Sequence, residues 1–251
     1  MPEEGVFIRP DGKKTFIPLE NNPEVFTSLV HDLGVSSKLT FHDVYSIDEP
    51  DLLAMVPRPA HALIFITPGP MYYKVRDEDG IGQADDVGLT YDKSAEDGEP
   101  VVWFRQTIGH ACGLIALLHS VAAESVRPFV EGGSVLDGLL RDAAPLKPAA
   151  RADLLYNSEA LEKAHMKAAR KGDSSAPGAD EGVGYHFIAF TRGKDGHMWE
   201  LEGACDGPID RGLLPEGEDM LGQTALDRGV RRFLKHADGN MEFSIIALSE
   251  E

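Results

Sequence analysis

The sequence predicts a mixed α/β (α+β) fold, with a central, largely antiparallel sheet flanked by helices and one helix packed deep in the core. Three observations carry this. Residues 112–125 (CGLIALLHSVAAES) are apolar or small on nearly every face, so a helix there is enclosed around most of its circumference. The runs Tyr185 to Thr191 and His197 to Leu201 flank the polar turn Arg192 to Gly196, the pattern of a β-hairpin. Ala62 to Thr67 is apolar enough to be a central strand.

The remaining elements follow from local signals. Asn22 followed by Pro23 is an N-cap with proline at the first helical position, and Gly34 after VHDL is a stop, so a helix is expected over 23–33. Thr40 to Ile47 reads as a strand, and Asp48 is placed to cap a short helix through Met55. VVWFRQT (101–107) reads as a strand entering a turn, residues 222–237 as a helix, and Glu242 to Leu248 as a closing strand. Residues 77–99 hold nine acids against Lys93 alone and read as a solvated loop; Lys171 to Gly184 is nearly free of large apolar residues and is expected to be mobile. Both look like insertions within one domain spanning 1–251.

Composition narrows the function. With 42 acidic and 24 basic side chains the net charge is −18, a field that repels phosphate backbones and anionic lipid, so neither nucleic acid nor membrane is an expected partner. The longest apolar run, Ala60 to Thr67, is too short to cross a bilayer, and the opening Met1-Pro2-Glu3-Glu4 is acidic where a signal peptide is basic. Two cysteines support neither a disulfide framework nor a zinc cage, and a cytosolic or nuclear compartment is expected. The P-loop, dinucleotide-binding and H-E-x-x-H patterns are missing, and no cofactor or metal is implied.

Cys112 stands at the expected first turn of the buried helix, between Gly109 and Gly113. Peptide N–H groups at a helix N-terminus favour thiolate over thiol, so a depressed thiol pKa is expected. Among nine histidines, His186 opens an apolar strand directly after the glycine-rich segment, where a side chain sits on a rim yet reaches a cleft. His110 lies on the turn beside Cys112, and His119 falls two helical turns away. A hairpin centred near Lys194 sets His186 opposite Glu202, whose carboxylate can orient the imidazole; Glu200 and Asp206 are the fallback acids. Gln106, six residues before the cysteine, can donate its amide to a developing oxyanion together with the Cys112 N–H. The order Gln106, Cys112, His186, Glu202 is similar to that of papain-like cysteine hydrolases.

At these residues the chain resembles the ubiquitin C-terminal hydrolase family. The segments QTIGHACGLIALLHSV and HFIAFTRGKDGHMWELEGACDGPIDRG look like its two active-site signatures. FIPLENNPEV, FHDVYSIDEPDLLAMVPRPAHALIFI and FSIIALS resemble further family segments in the same order. The resemblance implies a papain-like fold with a knotted backbone, Cys112 as nucleophile, His186 as general base and Gln106 as oxyanion donor. It also implies a mobile crossover segment near 156–181 that limits the bulk of the leaving group. Two departures stand out: Glu202 where the family usually has Asp, in a hairpin one residue longer, and His110 where it tends to have Asn. Glu20, Glu24, Asp43 and Asp48 match the family's ubiquitin-contacting acids, which suit a basic, extended substrate tail. The expectation is a monomeric deubiquitinating thiol peptidase acting at the C-terminal glycine of ubiquitin on small or flexible adducts. A ubiquitin-binding scaffold with weak turnover, or a hydrolase of another ubiquitin-like modifier, are the alternatives.

Overall fold

Asn22 is extended, and its side-chain oxygen accepts hydrogen bonds from the N–H groups of Glu24 (2.8 Å) and Val25 (3.4 Å), so helix α1 (Pro23–Leu33) starts where the sequence predicts. Gly34 ends it in the left-handed region at φ 104°. The computed structural model describes residues 6–81, 89–173, 177–178 and 184–251.

A short ribbon of β1 (Phe7–Ile8) and β2 (Lys14–Thr15) precedes α1. β3 (Leu39–Asp43), α2 (Pro50–Leu53), β4 (Ala60–Pro68) and α3 (Gly69–Asp79) follow. The buried helix is α4 (Cys112–Val121), then come α5 (Val135–Ala143), α6 (Pro148–Tyr156) and α7 (Glu159–Ala169). β5 (Tyr185–Arg192), β6 (His197–Leu201) and β7 (Ile209–Leu213) form a meander, followed by α8 (Gln223–Arg228), α9 (Val230–Leu234) and β8 (Ser244–Glu250). The six-stranded sheet has the order β3-β8-β4-β5-β6-β7, with every neighbouring pair antiparallel.

The central strands sort their side chains with period two. Ala62 and Ile64 of β4 join Phe187 and Ala189 of β5 in the core shared with α1 and α4, while Leu63, Phe65, Ile188 and Phe190 enter the core under α3, α8 and α9. Every residue of α4 from Gly113 to Val121 is buried, including His119 and Ser120, as its all-round apolar pattern predicts.

Several expectations are corrected. Residues 102–107 join no strand; they are held instead by the Gln106 N–H bond to Gly203 O and the Trp103 Nε1 bond to Glu202 O. Helix α2 begins one residue after Glu49, and Ser46 Oγ, not Asp48, accepts from the local N–H groups. The helix expected over 222–237 is two helices, because Gly229 breaks the run at φ −104°, ψ −109°. The acidic stretch is partly structured: α3 runs to Asp79, which pairs with Arg211 and Arg232, and a helical turn covers Ala95–Asp97. The crossover segment is half helix, since α7 buries Leu161, His165 and Met166 against α1 and the core. The rest of that reading, 174–176 and 179–183, and the acidic positions Asp85 and Asp86 lie outside the described residues.

Candidate active site

Three chain segments converge at the N-terminal end of β5. Cys112 is the first residue of α4 and half-buried. It is delivered by a turn in which His110 adopts φ 57°, a left-handed conformation that histidine and asparagine tolerate better than most side chains. Gly109 secures that turn to β2, its N–H donating to Lys14 O (2.9 Å) and its carbonyl accepting from Phe16 N–H (3.0 Å). One residue beyond the cysteine, a methyl group on Gly113 would sit 3.5 Å from the ring of Phe187, so the start of α4 packs directly beside the neighbour of His186.

The hairpin register differs from the expected one. Ala189 pairs with Leu201 and Phe190 with Glu200, which centres the turn on Asp195 rather than Lys194. The shift moves the partner of each residue by two positions, so the side chains keep their faces and Glu202, just past β6, still projects to the side of His186. Glu202 Oε1 lies 3.7 Å from His186 Nδ1, an ion-pair contact longer than a hydrogen bond. Burial alone pushes the Glu202 carboxyl up; the adjoining imidazole, the Cys205 thiol and the Tyr72 hydroxyl outweigh it and hold its pKa below the ordinary value.

The expected depression of the Cys112 pKa is reversed. Desolvation pushes the thiol up to about 11, helped by the negative charge of Glu202, while hydrogen bonds from the N–H groups of Gly113 and Cys112 act the other way without prevailing. The helix N-terminus is present, but the loss of water around the sulfur is the larger effect. Burial therefore favours the neutral Cys112 thiol over its thiolate.

Gln106 reaches the same place through Gly203. Its N–H donates to Gly203 O at 2.9 Å, and Gly203 packs against both Gln106 and Ile115 of α4. Trp103 Nε1 donates to Glu202 O (3.1 Å), so the acid's backbone and the Gln106 segment are tied together. The fallback acids point elsewhere: Glu200 is buried between Arg76 and Arg211, and Asp206 accepts from the Thr90 and Tyr91 N–H groups. His119 is sealed in the core, accepts from Phe104 N–H (2.9 Å), and is pushed by burial down to about 3.

The predicted contact acids split into two places. Asp43 and Asp48 line an open groove of about 420 Å³ with Tyr45, Met241 and Phe243, and Asp48 is paired with Arg231 at 2.6 Å. Glu24 is exposed in the first turn of α1, and Glu20 accepts from Asp173 N–H at 3.1 Å. Sequence reading missed Tyr72 and Tyr73 of α3, which enclose the His186 ring. Two adjacent tyrosines after an apolar strand carry no signal that would distinguish them from packing residues.

Comparison with known proteins identifies the family and the fold. The family model "Ubiquitin carboxyl-terminal hydrolase, family 1" matches residues 16–235. A ubiquitin carboxyl-terminal hydrolase of Aplysia californica is 35% identical over 201 residues, covering 80% of this chain and 87% of that protein. The isozyme L1 of Rattus norvegicus is 33% identical over 231 residues, covering 92% and 96%. Among solved structures, the catalytic domain of Trichinella spiralis UCH37 bound to ubiquitin vinyl methyl ester superposes with a TM-score of 0.67 at 20% identity, covering 94% of this chain and 95% of that one, which shows the shared fold. The protein belongs to the ubiquitin carboxyl-terminal hydrolase family 1 of cysteine peptidases.

Proposed function

We propose that this protein hydrolyses ester, thioester or isopeptide bonds at the C-terminal glycine of ubiquitin, with Cys112 as nucleophile, His186 as general base, Glu202 as the acid that orients it and Gln106 as oxyanion donor. The start of α4, where Cys112 is half-buried, packing beside Phe187 of β5, together with the His186–Glu202 contact, carries the reading. Because Glu202 stands on the Nδ1 side, Nε2 of His186 is the basic nitrogen. It takes the thiol proton as sulfur attacks the glycine carbonyl, and the oxyanion is met by the Gln106 amide and the Cys112 N–H. The proton passes to the departing amine or alcohol, leaving a thioester. Water, deprotonated by the same nitrogen, attacks the thioester; the C–S bond breaks, the sulfur regains its proton, and ubiquitin leaves with a free carboxylate.

The four acids Glu20, Glu24, Asp43 and Asp48, set in a surface of net charge −18, favour a basic extended tail. The 156–181 segment, part helix and part glycine-rich chain, would restrict the leaving group to small or flexible adducts. Both cysteines are free, in keeping with a reducing cytosolic or nuclear compartment. Among the described residues no helix is long and apolar enough to cross a membrane. A single domain over 1–251 working as a monomer, with neither nucleic acid nor membrane as partner, completes the proposal.

Release of fluorophore from ubiquitin carrying a C-terminal 7-amido-4-methylcoumarin tests it. Wild-type protein is expected to turn the probe over, and Cys112→Ala to lose turnover by at least about a thousandfold. Turnover by Cys112→Ala at the wild-type rate would remove the nucleophile assignment. The same fluorophore on other ubiquitin-like modifiers decides the modifier preference.

A further inference from the structure

The His186 ring lies flat on Tyr72, with ring centroids 3.7 Å apart and planes within 4° of parallel, and meets the edge of Tyr73 at 5.4 Å and 83°. The Tyr72 hydroxyl donates to Glu202 Oε2 at 2.9 Å and lies 3.2 Å from Cys205 Sγ. One side chain of α3 therefore touches the imidazole with its face and the carboxylate with its hydroxyl. Tyr72 is completely buried, and one turn later the Arg76 guanidinium packs over its ring, 5.0 Å from the centroid. Arg76 is itself fixed by its buried pairing with Glu200. Burial, reinforced by the charge of Glu202, drives the Tyr72 phenol pKa far above its ordinary value, so it stays a neutral donor at every working pH.

The 3.7 Å gap between Glu202 and Nδ1 makes this arrangement more than packing. A glutamate has one more rotatable bond than an aspartate and needs an additional restraint to hold its carboxylate at the imidazole. Oε2 receives that restraint from Tyr72, which leaves Oε1 for the ring. Stacking fixes the plane in which Nδ1 faces the acid and Nε2 faces away.

We propose that Tyr72 is a positioning residue for the His186–Glu202 pair: its ring sets the plane of the imidazole and its hydroxyl holds the carboxylate, so that His186 is kept as the tautomer whose Nε2 is basic. This rests on the reading of His186 as the general base. Among the described residues, the charged and titratable groups facing the unit include Glu202 and Cys205 from the turn after β6, Glu200 from β6, Arg76 and Tyr73 from α3, and Cys112 and His119 from α4.

Two substitutions separate the contacts. Tyr72→Phe keeps the stack and loses the hydrogen bond, and Tyr72→Met loses both at similar volume. Nitrogen-15 NMR of histidine-labelled free protein, with His186 assigned by its loss in His186→Gln, reads tautomer and titration midpoint without substrate. In Tyr72→Phe the carboxylate loses a donor and its charge falls more fully on the imidazolium, so the His186 midpoint is expected to rise by about half a unit or more. The acid limb of kcat/KM on the ubiquitin-coumarin probe should move with it, with kcat falling about threefold to tenfold and KM unchanged. Tyr72→Met is expected to show a mixed tautomer and a larger kcat loss. A midpoint and tautomer in Tyr72→Phe equal to wild type overturn the proposal, and should Tyr72→Met not fold, Tyr72→Phe decides alone. Inactivity of wild-type protein on the probe would instead overturn the ubiquitin reading, while the NMR midpoint still decides the role of Tyr72.

Discussion

Gly203 approaches Gln106 so closely that a methyl group on its α-carbon would lie 2.8 Å from Gln106 Cβ and 3.0 Å from its backbone nitrogen. The same methyl would meet Ile115 Cγ2 at 2.9 Å, one turn into the helix that carries Cys112. Gly203, next to Glu202, is thus the point where the Gln106 segment and helix α4 are pressed together.

Gly203→Ala should therefore act on stability and on chemistry at once. Backbone and helix must separate to admit the methyl group, at a cost of about 1–3 kcal/mol, and Gln106 moves with its backbone. Thermal unfolding and kcat on the ubiquitin-coumarin probe check this; a variant with wild-type values for both would show that the contact relaxes without consequence.

The reactivity of Cys112 should follow a thiol held high by burial. With its pKa pushed up to about 11, the thiolate fraction of free protein grows about tenfold per pH unit through neutrality. Iodoacetamide alkylation of Cys112, followed by mass spectrometry from pH 6 to 10, should keep rising across the range. A plateau below pH 8 would mean that the thiolate is already formed in the free enzyme.

Acid should weaken the fold well before its carboxylates titrate. Burial pushes His119 down to about 3 and His165 to about 4, well below the ordinary histidine value of about 6.5. The unfolded chain therefore takes up these protons first, and the stability they confer, fully present above pH 6.5, is lost as pH falls from there towards 4. Each residue contributes a slope of up to about 1.4 kcal/mol per pH unit. Urea midpoints at pH 7.5, 6.0 and 5.0 check this, and His165→Gln, compared with its own value at pH 7.5, should show a smaller acid sensitivity than wild type, the remainder carried by His119 and the other lowered histidines, His42 and His61.

Arg151 and Glu99 form a fully buried pair at 2.6 Å, and Arg151 also donates to the carbonyls of Ala143 and Trp103. Arg151→Met leaves the Glu99 carboxylate buried without its cation and should cost about 3–5 kcal/mol. Arg151→Met combined with Glu99→Met should recover most of that loss. Denaturant unfolding of the two variants decides it: if the double variant is as unstable as the single one, the ionic pair itself is not the source of the cost.

Local chemistry was legible in the sequence wherever one stretch of chain settled it. The Asn22-Pro23 start, the Gly34 stop, the enclosed helix after Cys112 and the hairpin around Arg192 to Gly196 each depend on caps, turns or periodicity within a dozen residues. Where an element depends on distant partners, sequence reading failed. Residues 102–107 have strand composition, yet they pair with no strand; they are instead held by Gly203 and by the Trp103 bond to Glu202.

By itself the sequence determined which residue types could supply nucleophile, base, acid and oxyanion donor, and in what order along the chain, because those are properties of side chains and short signatures. Only the tertiary structure decided the hairpin centre at Asp195, the burial that raises the Cys112 thiol, and the enclosure of His186 by Tyr72 and Tyr73. The first turns on one position of register within a single hairpin; the other two depend on solvent exclusion and on ring contacts between residues far apart in the chain, such as Tyr72 and His186, which no periodicity within a segment encodes.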